Sequence, residues 1–398
     1  MLTEKISKSF YLVVILLAYS AIAALYPSLN RIALYIALPA ALGLTVYNSN
    51  DTKNSIKIYS GYLYSLYIFI AISVIYAQYQ DVAMQHMHAI LGVIILMVII
   101  IRQANSLRKI AFLYIVYLFL YVAMWYYIQT EIMSTIEFGL QRVDDDRLNA
   151  NTIAYYTFYT TFAIFAIGDI IEKPILKKVS RILFLCTIPL TIYVAIATAS
   201  RQVLIIQIPL QLLLLYLRYY KSASSRTRFL MVSITALIVM VSSAYVVSVF
   251  SDSYLLERAQ NEAIEDDPRT LLLKDAFNVG MDHFFTGVGA GNYICYSYSK
   301  HFSHCTYTEL FANNGIFGFL IYAIMLIKFL STQVKRYKKY KDDKFLIFAV
   351  FAFIFILDNI FYVFYPFLWL MGFLVLVMSH SEVYFKNKYL NCGCDECI

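Results

Sequence analysis

Charge is scarce in this 398-residue chain. Asp, Glu, Lys and Arg together make up 14% of it, where a soluble domain carries about 25%. Hydrophobic residues reach 61% and mean hydropathy is +0.66. A water-soluble globule and a disordered chain are both excluded, which leaves a polytopic membrane protein. Glycine and proline are few, at 13 and 7, so fibrous and Pro-rich linker classes fall away. The apolar runs lack period-2 alternation and are too long for barrel strands. In lipid only helices and closed barrels satisfy the backbone, so helices remain. The first apolar run, 10–26, has no small-residue cleavage site after it and reads as a retained span, not a signal peptide.

What is present is a succession of apolar runs bounded by polar breaks. They fall near 10–26, 31–47, 58–76, 83–101, 110–128, 150–171, 182–200, 202–217, 229–250, 306–330, 345–362 and 366–384. The expected fold is therefore all-α, with about twelve transmembrane helices in a single integral membrane domain over 1–398. Asp358, Asn359 and Tyr365-Pro366 read as a turn between the last two. With the N-terminus cytoplasmic, 24 of the 32 Lys and Arg fall on the inner side and 8 on the outer. Positive residues collect on the cytoplasmic side, so both termini are expected inside, in a bacterial cytoplasmic membrane. The net charge of +7 then reports topology, not nucleic acid. The Cys-bearing tail, 386–398, reads as a disordered cytoplasmic segment. Its C-x-C-x-x-C lacks a fourth zinc ligand, and cytosolic thiols stay reduced.

Two outer segments are long, 129–149 and 251–305, and both are acidic. The second, between the ninth and tenth spans, shows no obvious helical pattern, and loops of that length are usually functional or disordered. Against the acids stand a few arginines. Arg201 follows Ala197-Thr198-Ala199-Ser200 at the outer boundary, where a guanidinium is costly unless paired. It reads equally as a topology pin, half of an ion pair or an anion-binding group. Gly287-Val288-Gly289-Ala290-Gly291 follows no strand, so it is no dinucleotide fingerprint; it bends backbone close to something or is a simple turn. His301 and His304, three apart, lack a third metal ligand at sensible spacing. Asp144-Asp145-Asp146 has the spacing of metal-dependent glycosyltransferases, but an acidic outer loop explains it. No metal and no cofactor are expected. Cys295 and Cys305, ten apart outside, are within reach of a disulfide.

Several of these strings recur together. Ser200-Arg201 opens an apolar span; Arg269 sits in Asp267-Pro268-Arg269-Thr270-Leu271. Gly287-Val288-Gly289 and Gly291-Asn292-Tyr293 follow. His304-x-x-Tyr307-x-Glu309-Leu310 then leads to Asn314-Gly315-Ile316-Phe317-Gly318. In order and spacing they resemble the bacterial O-antigen polymerase and O-antigen ligase superfamily over about 145–330. Asn149-Ala150-Asn151 resembles the Asn-rich start of the sixth span there. Cys305 departs from the pattern, standing where the family usually has Asn.

The resemblance implies glycosyl transfer on the outer face of the membrane. The donor would be an oligosaccharide on polyprenyl diphosphate, and the reaction would need no metal. Acceptors would be another lipid-linked repeat unit (polymerase) or lipopolysaccharide core (ligase), with polymerase favoured by the Ile/Tyr/Lys-rich composition. A flippase and a chain-length regulator would be partners. Arginine forks suit a departing diphosphate, which singles out Arg201 and Arg269, with Arg147 and Arg258 behind them because acids adjoin them. A base for the acceptor hydroxyl is best supplied by histidine, hence His304, with His301 second. Tyr307, Glu309 and Asn151 are expected to orient these groups or meet the acceptor. The competing class is a secondary transporter with Asp169 and Asp358 as ion-coupling sites, disfavoured by the missing internal repeat.

Overall fold

The structure is a computed structural model; it describes residues 6–47, 56–132, 150–198, 203–220, 224–226, 233 and 268–390. Among these every regular element is a helix. In chain order they are α1 (Lys8–Ala23), α2 (Leu29–Tyr47), α3 (Lys57–Ser73), α4 (Gln80–Gln103), α5 (Leu107–Tyr127) and α6 (Ala150–Ile170). Then come α7 (Pro174–Thr198), α8 (Ile208–Leu215), α9 (Pro268–Asp282), α10 (Tyr293–Tyr296), α11 (Thr306–Tyr340), α12 (Asp343–Phe361) and α13 (Leu368–Phe385). Eight helices among the described residues are long and apolar enough to cross a membrane, so the chain is an all-α polytopic membrane protein. Every expected span coincides with a helix except 229–250, which lies almost wholly outside the described residues. The turn expected at Asp358, Asn359 and Tyr365-Pro366 is present only in its second half: 362–367 separates α12 from α13, while Asp358 and Asn359 are buried inside α12.

Two expectations need correction. The segment 251–305, read as lacking helical pattern, contains α9. Pro268 opens that helix, where its missing N–H costs nothing. Its apolar side is interrupted by Lys274 and Asp275, which hid the period, yet Ala276 packs with Val288, Tyr293 and Ala312. The span expected over 306–330 continues to Tyr340 as a 35-residue helix, because the Lys-rich 335–341 stretch is as good a helix former as the apolar run before it.

The chain divides into two compact units. The first comprises 1–20, 28–113 and 264–398. In it α11 packs against α3, α9 and α12, while α4 packs against α2 and α13. Nearly every side chain of α13 is buried, the apolar run 368–378 and also Ser379, His380, Ser381 and Glu382. The second unit comprises 21–27 and 114–263, with α6 against α7. Its core gathers Tyr121, Met124, Tyr127, Ile153 and Val194. Side-chain amides bind it across helices: Gln207 donates to the Ala154 carbonyl (2.6 Å) and Gln211 to Thr161 (3.2 Å). Arg218 pairs with Asp169 at 2.9 Å and donates to the Phe165 carbonyl, so Asp169 is spent on a structural ion pair.

In the first unit, the end where α11 meets α12 is locked by charge. Arg336 forks onto Glu382 (2.7 and 2.9 Å), both buried, with its guanidinium 4.0 Å from the centre of the Phe385 ring. Asp342 caps α12 by accepting the Lys344 N–H, and also receives Lys388 (2.7 Å), Tyr384 (2.6 Å) and Tyr389 (2.9 Å). Burial alone would raise its pKa, but these four hydrogen bonds outweigh it and hold the carboxyl at about 2.

Candidate functional site

The opposite end of the first unit carries the segments singled out in the sequence. It is built from 74–79, 283–305, the start of α11 and 362–367. Three glycines make the close approaches. Gly287, Gly289 and Gly291 have φ of 68°, 97° and 65°, conformations that L side chains rarely adopt. A Cβ on Gly287 would meet the Asn313–Asn314 backbone, and one on Gly289 would meet Ala77. The run therefore bends backbone against backbone. Val288 and Gly289 donate their N–H groups to the Ala312 and Asn313 carbonyls, both at 2.9 Å.

Those carbonyls lie just before a break in α11. Gly315 is left-handed (φ 61°) inside the helix. The Ile316 N–H turns to the Phe284 carbonyl at 2.8 Å instead of completing its own helix. Gly315 thus opens the helix so that the 284–289 strap can dock into it.

Asparagines tie the rest. Asn292 accepts the Tyr79 N–H (2.8 Å) and donates to the Tyr79 and Ala290 carbonyls. Asn313 accepts the Tyr293 N–H (2.7 Å) and donates to Glu309 (3.4 Å) and to the Tyr365 hydroxyl (3.2 Å). Asn314 donates to Ser73 (2.9 Å). All three are fully buried. Tyr293 donates to Leu272 O and Asp275 on α9, and burial pushes its pKa up. In the sequence Asn292 stands out only as a member of a string; the pairing of Asn292 with Tyr79 and of Asn313 with Tyr293 and Tyr365 has no local signature.

His304 sits half-buried at the head of α11, separated from its first turn only by Cys305. Its φ is 58°, an unusual and costly conformation for a non-glycine residue. The cause is local. The Ser303 hydroxyl donates to the Cys305 carbonyl (2.9 Å) and accepts the Cys305 N–H (3.3 Å), closing a tight loop around the residue between. The imidazole lies against the Phe302 ring, centres 4.3 Å apart and planes tilted by 48°. Thr306 fastens the next residue: its N–H and hydroxyl donate to the Tyr362 carbonyl, and its oxygen accepts the Phe364 N–H.

The other expected site residues divide. Arg269 is half-buried in the first turn of α9. Tyr307 turns toward α12, donating to the Ile356 carbonyl at 3.0 Å. Glu309 is 4% exposed and accepts the Ser303 N–H at 2.7 Å as well as the Asn313 amide. Asn151 lies at the start of α6 in the second unit. Arg147, Arg201 and Arg258 fall outside the described residues, as does Asp144-Asp145-Asp146. His301 is exposed. Cys295 and Cys305 are both free thiols, Cys305 buried, so the envisaged disulfide is not formed. Cys305 at that position leaves its side chain in the core while its backbone closes the Ser303 loop.

Residues 186–323 match the family model described as O-antigen ligase. The stretch contains Arg201, Arg258, Arg269, His304, Tyr307 and Glu309; Arg147 and Asn151 lie before it. Among curated proteins nothing matches the chain.

Proposed function

We propose, starting from that similarity to the O-antigen polymerase and ligase superfamily, that the protein is a membrane-embedded glycosyltransferase. Its donor is an oligosaccharide on polyprenyl diphosphate, and it joins lipid-linked repeat units into polysaccharide on the outer face of the cytoplasmic membrane. The observation that carries the reading is His304: a histidine held in a strained, tied loop at the head of α11, inside the matched stretch.

The chemistry asks for two groups. His304 takes the proton from the acceptor hydroxyl as that oxygen attacks the anomeric carbon. Arginine forks receive the charge that collects on the departing diphosphate. Arg201 and Arg269 fill that role, with Arg147 and Arg258 as weaker candidates. The acceptor hydroxyl forms the new bond, the anomeric carbon–phosphate-oxygen bond breaks, and the lipid diphosphate leaves. No metal takes part in this scheme.

Purified protein with lipid-linked repeat unit tests it. His304→Ala is expected to lower turnover by about 10²–10⁴-fold with donor affinity retained, the usual worth of general-base assistance. Near-wild-type turnover would remove His304 from catalysis. Arg201→Ala and Arg269→Ala are each expected to cost about 10²–10³-fold. Lysine should substitute poorly, since it lacks the bidentate fork; a fully active Arg201→Lys would reduce that residue to a simple anchor.

Ligase activity is the second reading, favoured by the description of the matching family model. The glycan of a deletion strain separates the two. Loss of chain length with one repeat unit still attached means polymerase; loss of all attachment to core means ligase.

A further inference from the structure

Glu309 is a buried carboxylate that the scheme above does not use. Its position in the fold is unusual in three respects. It lies in the first turn of α11, 4% exposed. Its two oxygens face different parts of the site: Oε2 accepts the Ser303 N–H at 2.7 Å, and Oε1 accepts the Asn313 amide at 3.4 Å. The tighter of these contacts holds the backbone next to His304.

Ser303 is the other half. Its hydroxyl reaches over His304 to both polar groups of Cys305, and Thr308 donates to the same oxygen at 3.2 Å. Ser303 is therefore fixed from both sides: its backbone by Glu309, its side chain by Cys305 and Thr308. What is fixed between them is the left-handed His304. A chain free to relax would leave that conformation, since non-glycine residues disfavour it. Elsewhere in this part of the molecule left-handed backbone falls to four glycines, Gly287, Gly289, Gly291 and Gly315, and to one exposed side-chain-bearing residue, Lys300 (φ 59°). At 304 the sequence keeps a side chain there and spends a buried carboxylate and a buried hydroxyl to hold it.

A simpler structural role would not need a carboxylate. Burying one is costly unless it is well satisfied, and a neutral amide oxygen would also accept a single N–H. A carboxyl group offers two oxygens, one for the Ser303 N–H and one for the Asn313 amide, which suits a contact whose work is to hold a strained neighbour in place. The grip also runs inward. Asn313 joins Glu309 to the Tyr365 hydroxyl and to the Tyr293 N–H. The His304 loop is thereby tied to 362–367 and to the glycine-rich strap, whose Gly289 N–H ends on the Asn313 carbonyl.

We propose that Ser303 and Glu309 are a pair of positioning residues: together they hold the His304 backbone left-handed and so aim its imidazole at the acceptor hydroxyl. The proposal rests on the reading of His304 as general base. It assigns neither residue a contact with substrate; both act through the histidine.

A double-mutant cycle in purified protein with lipid-linked repeat unit tests it. Glu309→Ala and Ser303→Ala are each expected to lower kcat by about 10–100-fold, with donor KM within threefold of wild type. Glu309→Gln, which keeps one acceptor oxygen of the two, should recover only part of the loss. In a His304→Ala background neither substitution should change the residual rate by more than twofold, because residues that act through one group lose their effect when it is gone. The proposal is overturned if Glu309→Ala and Ser303→Ala are both at wild-type kcat. It is also overturned if they act by raising donor KM, or if they lower the His304→Ala rate by the same factor as the wild-type rate. Should Glu309→Ala fail to accumulate in the membrane, Ser303→Ala carries the cycle alone, since it deletes only the hydroxyl bridge. A fully active His304→Ala would instead overturn the general-base reading, and the brace with it; a strongly slowed but measurable His304→Ala with an additive cycle overturns the brace alone.

Discussion

The two ends of the first unit are held together in opposite ways. Where α11 meets α12, opposite charges meet directly: Arg336 with Glu382, Lys388 with Asp342, aromatic rings packed around both. Where α11 begins, the ties described are made by asparagines, serine, threonine and left-handed glycines, and the carboxyl groups of Glu309 and Asp275 accept from backbone N–H groups, an amide and a tyrosine hydroxyl. An end built on mutual neutralisation offers little to a charged ligand. The ties described at the other end set its geometry through hydrogen bonds among amides, hydroxyls and backbone. The contrast suggests one end made to hold and the other made to work.

This contrast can be broken in several places. The largest effect is expected from Gly287→Ala. Its φ is 68° and its Cβ would run into the Asn313–Asn314 backbone, so the strap should undock and polymer formation vanish, read as glycan length in complemented deletion cells. Normal polymer would show that the docking is dispensable. Next is Glu382→Ala at the other end. Stranding Arg336 in the interior should cost about 3–5 kcal/mol, seen as a lower melting temperature with kcat per folded molecule unchanged; a changed kcat would mean that the ends are coupled. Asn313→Ala should fall between the classes, removing ties to Tyr293, Glu309 and Tyr365 at once. A loss of roughly tenfold in kcat is expected, with a small stability loss of about 1–3 kcal/mol for the buried groups left unpaired.

The smallest effect concerns Asp342. Its folded pKa, about 2, lies below the ordinary value of 3.8. A depressed carboxylate stabilises the fold above the unfolded value, and that stability drains away as pH falls from about 4 toward 2. Asp342→Asn should flatten this part of the acid melting curve; an unchanged curve would free Asp342 from its assigned role. Thiol labelling sharpens the comparison differently. A cysteine at Lys339 should react only from the cytoplasmic side and one at Tyr298 only from outside; the reverse would invert the topology and the functional reading with it.

Helices were legible because apolar runs and their breaks are a strong, local signal. The exceptions are instructive. α9 escaped because its apolar side is short and broken by Lys274 and Asp275, although Pro268 marked its start. The extension of α11 past residue 330 escaped because the inner-loop lysines looked like a loop and not like the water-exposed end of a helix. At the site, residue types were readable and partnerships were not. Nothing in the sequence near Asn292 points to Tyr79, more than two hundred residues earlier, and nothing near Ser73 points to Asn314. His304 was readable from its string; its left-handed backbone was not, since that depends on what Ser303 does with its hydroxyl. Tyr307 was expected to orient the reacting groups or meet an acceptor; the tie of its hydroxyl to the Ile356 carbonyl had no signature in the sequence.

The break at Gly315 has a mechanical consequence. Thirty-five residues of helix would measure about 52 Å at 1.5 Å per residue, well beyond a hydrocarbon layer of about 30 Å. The piece after the break, 316–340, is the part that must fit the bilayer, and helices answer a change in thickness by tilting. The piece before it, 306–314, is fastened to the strap and to 362–367. Gly315 therefore divides the labour of one helix: the long arm supplies the length that matches the membrane, while the short arm, with His304 at its head, stays fastened to the strap.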